Sequence, residues 1–166
     1  MHENEELLRV LDAREVRWRK RLQMSQEWKK TLVAITLCLP LICRTHKDYV
    51  GIFTKLCERV RDCFAKAGIA VDDSIYIDGA DGPACLFTAE GDAFDAKRLC
   101  VMAEENILGG RMLDIDVMDK NGAPIGRTML SLPPRRCFIC EQPAAACVSR
   151  KLHQPKDIVD CTQRLL

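Results

Sequence analysis

Apolar positions along the chain recur at two distinct periods. From Asp48 to Ala67 the spacing is helical, with Tyr49, Ile52, Phe53, Leu56, Val60, Cys63, Phe64 and Ala67 on one stripe and Gly68 in the place of a terminating residue. A second helix is predicted from a capping Asp92 to about Asn106, with Ala93, Ala96, Leu99, Cys100 and Ala103 inward. Thr31–Leu39 is a run of β-branched and aliphatic residues that reads as a central strand. Ser74–Asp78 and Ala84–Thr88 are short strands, and the turn chemistry of Gly79-Ala-Asp-Gly82 joins them as a hairpin. Met112–Met118 is a strand, Asn121-Gly122 is a hairpin signal, and Ala123–Met129 is expected to return beside it. Glu3 to about Lys30 reads as one or two helices, with Leu7, Leu8, Leu11, Val16, Trp18 and Leu22 set among dense charge. Pro133-Pro134 ends regular structure, and Pro155–Leu166 is a short helix.

The order strand, helix, hairpin, helix, strand predicts an α+β fold. Its sheet is mixed or antiparallel, of βαββαβ type, with both helices on one face and a β-hairpin arm appended. One domain is expected, with a helical segment over 1–30, the core over 31–130 and a Cys/Arg-rich segment over 131–166. The alternative is a nucleotidyltransferase fold of the polymerase β type, suggested by Gly109-Gly110 shortly before Asp114-x-Asp116.

Charge narrows the partners. The net charge of +1 is too small for bulk binding to nucleic acid or a membrane surface, so any basic site must be local. The longest apolar stretch, Leu32–Cys43, is interrupted by Pro40 and falls short of the ~20 residues needed to span a bilayer. The acidic Met1–Glu6 has no apolar leader character. Ten cysteines in such a chain are expected to be reduced thiols in the cytoplasm, most of them small core residues.

The chemistry concentrates after residue 109. Leu113, Ile115 and Val117 alternate with Asp114, Asp116 and Met118, so the aliphatics point to the core and both carboxylates point the other way, roughly 7 Å apart. Like charges so placed take up a proton or share a cation, and Mg²⁺ suits two carboxylates plus phosphate oxygens. Polar residues on an exposed strand face are the plainer explanation, but aspartate is disfavoured in strands and Arg111 lies close by. Cys137, Cys140, Cys147 and His153 have the residue types and the Cys-x-x-Cys knuckle of a Cys₃His zinc site, although the spacing is not that of a standard finger; reduced cysteines under a loop are the alternative. Arg135, Arg136, Arg150 and Lys151 flank them, and Arg127 lies on the expected return strand. Guanidinium groups grip phosphate bidentately and stay charged. Arg14, Arg17, Arg19, Lys20 and Arg21 form a further cluster, either a solvated helix face or a polyphosphate clamp.

These residues resemble the apo-citrate lyase phosphoribosyl-dephospho-CoA transferases, the holo-acyl-carrier-protein synthases of citrate lyase. Gly110-Arg111-x-x-Asp114-Ile-Asp116-Val matches the family's Gly-Arg-x-x-Asp-x-Asp-Val, and Arg127 falls at an arginine further on. Leu132-Pro-Pro-Arg-Arg-Cys-Phe-Ile-Cys140-Glu-Gln, Ala144-Ala-Ala-Cys147 and His153 match its C-terminal signature, and Arg14 and Arg17 fit an N-terminal arginine pair more loosely. The resemblance implies transfer of a prosthetic group from 2′-(5″-triphosphoribosyl)-3′-dephospho-CoA to a serine of the apo-acyl-carrier subunit of citrate lyase, with loss of pyrophosphate. It implies catalysis by Asp114, Asp116 and Arg111, with Mg²⁺ on the two aspartates and substrate held by Arg127, Arg135, Arg136, Arg14 and Arg17. The malonate decarboxylase carrier protein is the rival acceptor, and a non-catalytic zinc-knuckle module that binds a partner protein is the rival class. Two motifs depart from the family. Ile107-Leu108-Gly109-Gly110-Arg111 stands for His-Pro-Leu-Gly-Arg, leaving a histidine role vacant, and Pro40-Leu41-Ile42-Cys43-Arg44 stands for Pro-Gly-Pro-x-Lys.

Overall fold

The computed structural model describes residues 2–38 and 49–165. The N-terminal charge-rich segment is one helix, α1 (His2–Trp28), which leads into strand β1 (Thr31–Leu37). Helix α2 (Tyr49–Lys66), the hairpin β2 (Ile75–Ile77) and β3 (Ala84–Ala89), helix α3 (Ala93–Asn106) and strand β4 (Leu113–Met118) follow in the expected order. With a last short strand, β5 (Pro124–Ile125), the sheet order is β2-β3-β1-β4-β5 with every neighbouring pair antiparallel, so β1 is central. The Pro40–Arg44 loop lies outside the described residues.

Each strand's alternation sends one set of side chains to each face. Val33, Ile35, Leu37, Cys85, Phe87, Leu113, Ile115 and Val117 meet the apolar stripes of α2 and α3 in the main core. Phe64 and Phe87 sit edge to face at its centre, 5.5 Å apart. As the capping reading requires, the Asp92 carboxylate accepts the N–H groups of Phe94 and Asp95. On the opposite face Leu32, Ala34, Leu86 and Met118 form a small second cluster closed by Met24 of α1.

Helix α1 differs from an ordinary amphipathic helix. Leu7, Leu8, Leu11, Val16 and Trp18 are all exposed. What it turns towards the sheet is Arg17, Arg21, Met24 and Ser25, with Leu22 half-buried beside them: two guanidinium groups and little apolar surface.

Two expectations for the hairpin arm need correction. The return strand β5 is only Pro124–Ile125, not Ala123–Met129, and the chain then enters a 3₁₀ turn over Arg127–Leu130. Arg127 therefore sits on that turn rather than on a strand. Its ion pairs with Glu104 and Glu105, and its bond to the Pro133 carbonyl, draw it out of strand geometry. Near the C-terminus α5 (Pro155–Leu165) was expected, whereas the seven-residue α4 (Ala144–Arg150) was not.

Candidate functional site

The glycine pair ahead of the aspartates has a packing role. Gly109 adopts φ +80°, a left-handed conformation that favours glycine. A Cβ on Gly110 would lie 2.5 Å from the Ala103 carbonyl oxygen and 2.8 Å from that of Glu104. The pair thus lets the chain turn tightly from the end of α3 into β4. Ile107, at the position of the family's histidine, closes α3 with its N–H on the Ala103 carbonyl and packs against the main core.

Strand β4 then presents Asp114 and Asp116 on one face, opposite Thr36 and Ala34 of β1, with both side chains about half exposed. Each meets a different arginine. Arg135 donates through Nη1 to Asp114 Oδ1 at 3.2 Å and to the Leu113 carbonyl at 3.0 Å. Arg21 donates through Nη1 to Asp116 Oδ2 at 2.8 Å. Arg21 is almost wholly buried, and its Nε has no hydrogen-bond partner.

Asp114 lies at the wall of a cavity of about 870 Å³. Its basic lining is Arg14, Arg17, Arg111, Arg135, Arg136 and Lys151, and its apolar lining includes Phe138, Ile139, Val148 and Ile158 from the C-terminal segment. The volume is within the range of small-molecule and cofactor sites. Arg111 and Arg136 converge on Glu141, at 2.9 and 2.7 Å, so a carboxylate already draws the two guanidinium groups together. Arg17 pairs with the buried Asp81. Asp116 and Arg150 are not on this cavity's lining, and neither is Arg127, which is committed to Glu104 and Glu105.

The cysteine segment folds as a knuckle. Cys137 N–H bonds the Gln142 carbonyl, Ala144 N–H bonds the Arg135 carbonyl, and Ile139 N–H points at Cys137 Sγ. Cys137, Cys140, Cys147 and His153 place one ligand atom each within 4.8 Å of one another. His153 Nε2 is 3.4 Å from Cys137 Sγ and from Cys140 Sγ, and Cys140 Sγ is 3.5 Å from Cys147 Sγ. Burial pushes the Cys137 thiol up, but the N–H groups of Ile139 and Cys140 and the neighbouring thiols outweigh it, so it ionises below the ordinary thiol value. The group can hold a metal ion, and Cys137, Cys147 and His153 also line the cavity.

Sequence reasoning named Arg21 only within a broad basic cluster and passed over several other residues that shape this site. Arg21 follows Arg14 and Arg17 at helical spacing, so the three share a face of α1. Lys97 and Glu104 lie seven apart within the apolar stripe of α3, where charge is out of place. Asp81 and Glu141 carried no signal, because their partners are distant in sequence or lie within a loop.

A family model described as apo-citrate lyase phosphoribosyl-dephospho-CoA transferase matches residues 5–166. A relative of that name from Escherichia coli O7:K1 (strain IAI39 / ExPEC) is 33% identical over 164 residues, covering 97% of this chain and 86% of its own. Another of the same name from Shigella boydii serotype 18 is 32% identical with the same coverage. With the match spanning the helix that carries Arg14 and Arg17, the strand that carries Asp114 and Asp116, and the cysteine knuckle, the chain belongs to the apo-citrate lyase phosphoribosyl-dephospho-CoA transferase family.

Proposed function

We propose that the chain attaches the prosthetic group of citrate lyase. It transfers 2′-(5″-phosphoribosyl)-3′-dephospho-CoA from its triphosphate precursor to a serine hydroxyl of the apo-acyl-carrier subunit. The serine oxygen forms a bond to the proximal phosphorus of the triphosphate. The bond from that phosphorus to the bridging oxygen breaks, and pyrophosphate leaves with the electron pair. Such a reaction asks the protein for alignment and charge neutralisation rather than for a nucleophile of its own.

The observation that carries this reading is Asp114 at the wall of a large cavity lined by Arg14, Arg17, Arg111, Arg135 and Arg136. Asp114 takes the serine proton. Arg135, already on Asp114, and the Arg111–Arg136 pair, already gathered on a carboxylate, receive the triphosphate and then the pyrophosphate. The apolar wall of Phe138, Ile139, Val148 and Ile158 receives the uncharged parts of the donor. Arg127 supports the site from behind, through Glu104.

Asp114 and Asp116 fit a magnesium ion in donor type, since both offer half-exposed carboxylate oxygens on one face. Bound there, the ion would add positive charge beside the phosphates. The cysteine knuckle fits zinc. Sulfur–sulfur and sulfur–nitrogen separations of 3.5 and 3.4 Å are close to the roughly 3.5–3.8 Å edges of a tetrahedron built on Zn–S and Zn–N bonds. The metal would staple the C-terminal segment that forms one wall of the cavity. The chain acts in the cytoplasm on this reading. No helix among the described residues is long and apolar enough to cross a membrane.

The test is mass spectrometry of apo-carrier incubated with the donor, Mg²⁺ and the purified protein, with the citrate lyase and malonate decarboxylase carriers offered side by side. A mass gain equal to the prosthetic group on a serine of the citrate lyase carrier is expected. An unmodified carrier, with no pyrophosphate released, overturns the reading. Elemental analysis should find one zinc per chain, lost in Cys147→Ser.

A further inference from the structure

Two charged side chains occupy the buried stripe of α3, and they hold the two peptide units on either side of one residue. Lys97 and Glu104 are only 7% and 3% exposed. Lys97 Nζ donates to the Ile115 carbonyl at 2.6 Å, and the Ile115 N–H donates to Glu104 Oε1 at 3.2 Å. Ile115 is the residue between Asp114 and Asp116. Glu104 in turn pairs with Arg127. Burial raises the Glu104 carboxyl above its ordinary value, and Arg127 and Lys97 oppose that shift.

The reason this edge needs side chains lies in the sheet. Strand β4 pairs with β5 only at Val117 and Met118. Among the described residues no strand lies beside the same edge at Leu113 and Ile115, so their backbone groups need other partners. Arg135 takes the Leu113 carbonyl, and Glu104 and Lys97 take both groups of Ile115.

A longer β5 would have satisfied the same groups without burying charge, which is costly and seldom gains stability over an apolar packing. It would also have covered the edge from which Arg135 reaches both the Leu113 carbonyl and Asp114. The helix-borne pair therefore keeps the edge open while still holding it rigid. Because the directions of side chains two apart on a strand follow from the backbone angles between them, clamping Ile115 fixes Asp114 and Asp116 relative to each other.

We propose that Lys97 and Glu104 are positioning residues for transfer, holding the peptides on both sides of Ile115 so that Asp114 and Asp116 keep their mutual orientation beneath Arg135. This rests on the reading that those aspartates serve the reaction. Lys97→Met keeps the aliphatic stem and removes the donor. Glu104→Met keeps the length of the side chain and removes the acceptor that holds the Ile115 N–H.

Transfer rates by mass spectrometry, with donor concentration varied, should show kcat reduced tenfold or more in each variant and KM for the donor within threefold. Circular dichroism should show both variants folded at the assay temperature. In Lys97→Met combined with Asp114→Asn, the rate should fall no more than twofold below Asp114→Asn alone, since the positioned group is already gone. A folded Glu104→Met or Lys97→Met with kcat within twofold of the parent overturns the inference, as do losses that multiply fully with Asp114→Asn. Should Lys97→Met fail to fold, Glu104→Met, which likewise removes one of the two bonds to Ile115, carries the same decision. Asp114→Asn measured alone separates the two readings. Full activity there removes the role of Asp114 and this inference with it, while the transfer reaction itself stands or falls on modification of the carrier by the parent protein. Lost activity there beside unaltered Lys97 and Glu104 variants removes this inference only.

Discussion

The two faces of the sheet are built from the same strands by opposite means. On one face Val33, Ile35, Phe87, Leu113, Ile115 and Val117 meet α2 and α3 in a continuous apolar core. On the other, only a small cluster around Met24 and Leu86 is apolar, and the rest of the contact is ionic: Arg21 with Asp116, and Arg17 with Asp81. The first face supplies cohesion, because apolar burial is strong and indifferent to direction. The second holds charges at defined positions on a rigid floor, beside a cavity that other charges can enter. The strand that joins them is β4. Its Ile115 belongs to the core, and its Asp114 belongs to the cavity.

The sharpest way to break this contrast is from the apolar side. Phe87→Ala removes the edge-to-face partner of Phe64, and a loss of roughly 3–5 kcal/mol is expected in denaturant unfolding. The protein that remains folded should transfer at the parental rate per molecule. A large loss of turnover in that folded fraction would mean that the two faces are not separable.

Arg127→Met probes the ionic support between them. It leaves Glu104 buried without its main cation, a change expected to cost roughly 3 kcal/mol or more at neutral pH. The carboxyl's folded pKa is already raised by burial, and losing Arg127 raises it further. For a group raised in this way, the penalty is present above the folded pKa and disappears below the unfolded one. The gap in stability between parent and variant should therefore narrow as pH falls through the range between them. A gap independent of pH would remove Glu104 as its cause.

Asp114→Asn tests the cavity face directly. About a hundredfold loss of transfer is expected with thermal stability nearly unchanged, because the side chain is half exposed and its bond to Arg135 is largely solvated. Full activity in a folded protein would end the role given to this carboxylate.

The smallest effect belongs to a half-exposed contact off the cavity's lining. Asp72 is held below its ordinary value by Lys30 and then by Thr88. A depressed carboxyl contributes stability above its unfolded pKa and loses it as pH falls through the folded one. Asp72→Asn should therefore lower stability slightly at neutral pH, where the contribution is present, and leave strongly acid pH almost unaffected, so that the acid limb of the stability curve flattens. A change in transfer rate from this substitution would contradict its remoteness from the site.

Legibility in the sequence divided along the same line as the two faces. The stripe from Tyr49 to Phe64, the Asp92 cap, the hairpin around Gly79 and the alternation Leu113–Val117 are periodic or local signals, and each element formed where expected. The return strand after Asn121 was overestimated. Its hairpin turn was correctly placed, but Arg127 is drawn away by acidic groups on α3 that turn chemistry cannot reveal. The Gly109-Gly110 pair suggested chemistry and proved to be a packing requirement set by two helix carbonyls.

The chain's own order of residues determined the secondary elements, the apolar face that welds them together, and the fact that Asp114 and Asp116 share the opposite face. Those follow from steric periods of two and 3.6 residues acting within short windows. Only the folded arrangement decided which cation meets which carboxylate: Arg21 with Asp116 across 95 positions, Arg135 with Asp114 across 21, and Glu141 between Arg111 and Arg136. An ion pair depends on distance in space, and a long, flexible guanidinium side chain leaves no periodic trace of the partner it will reach.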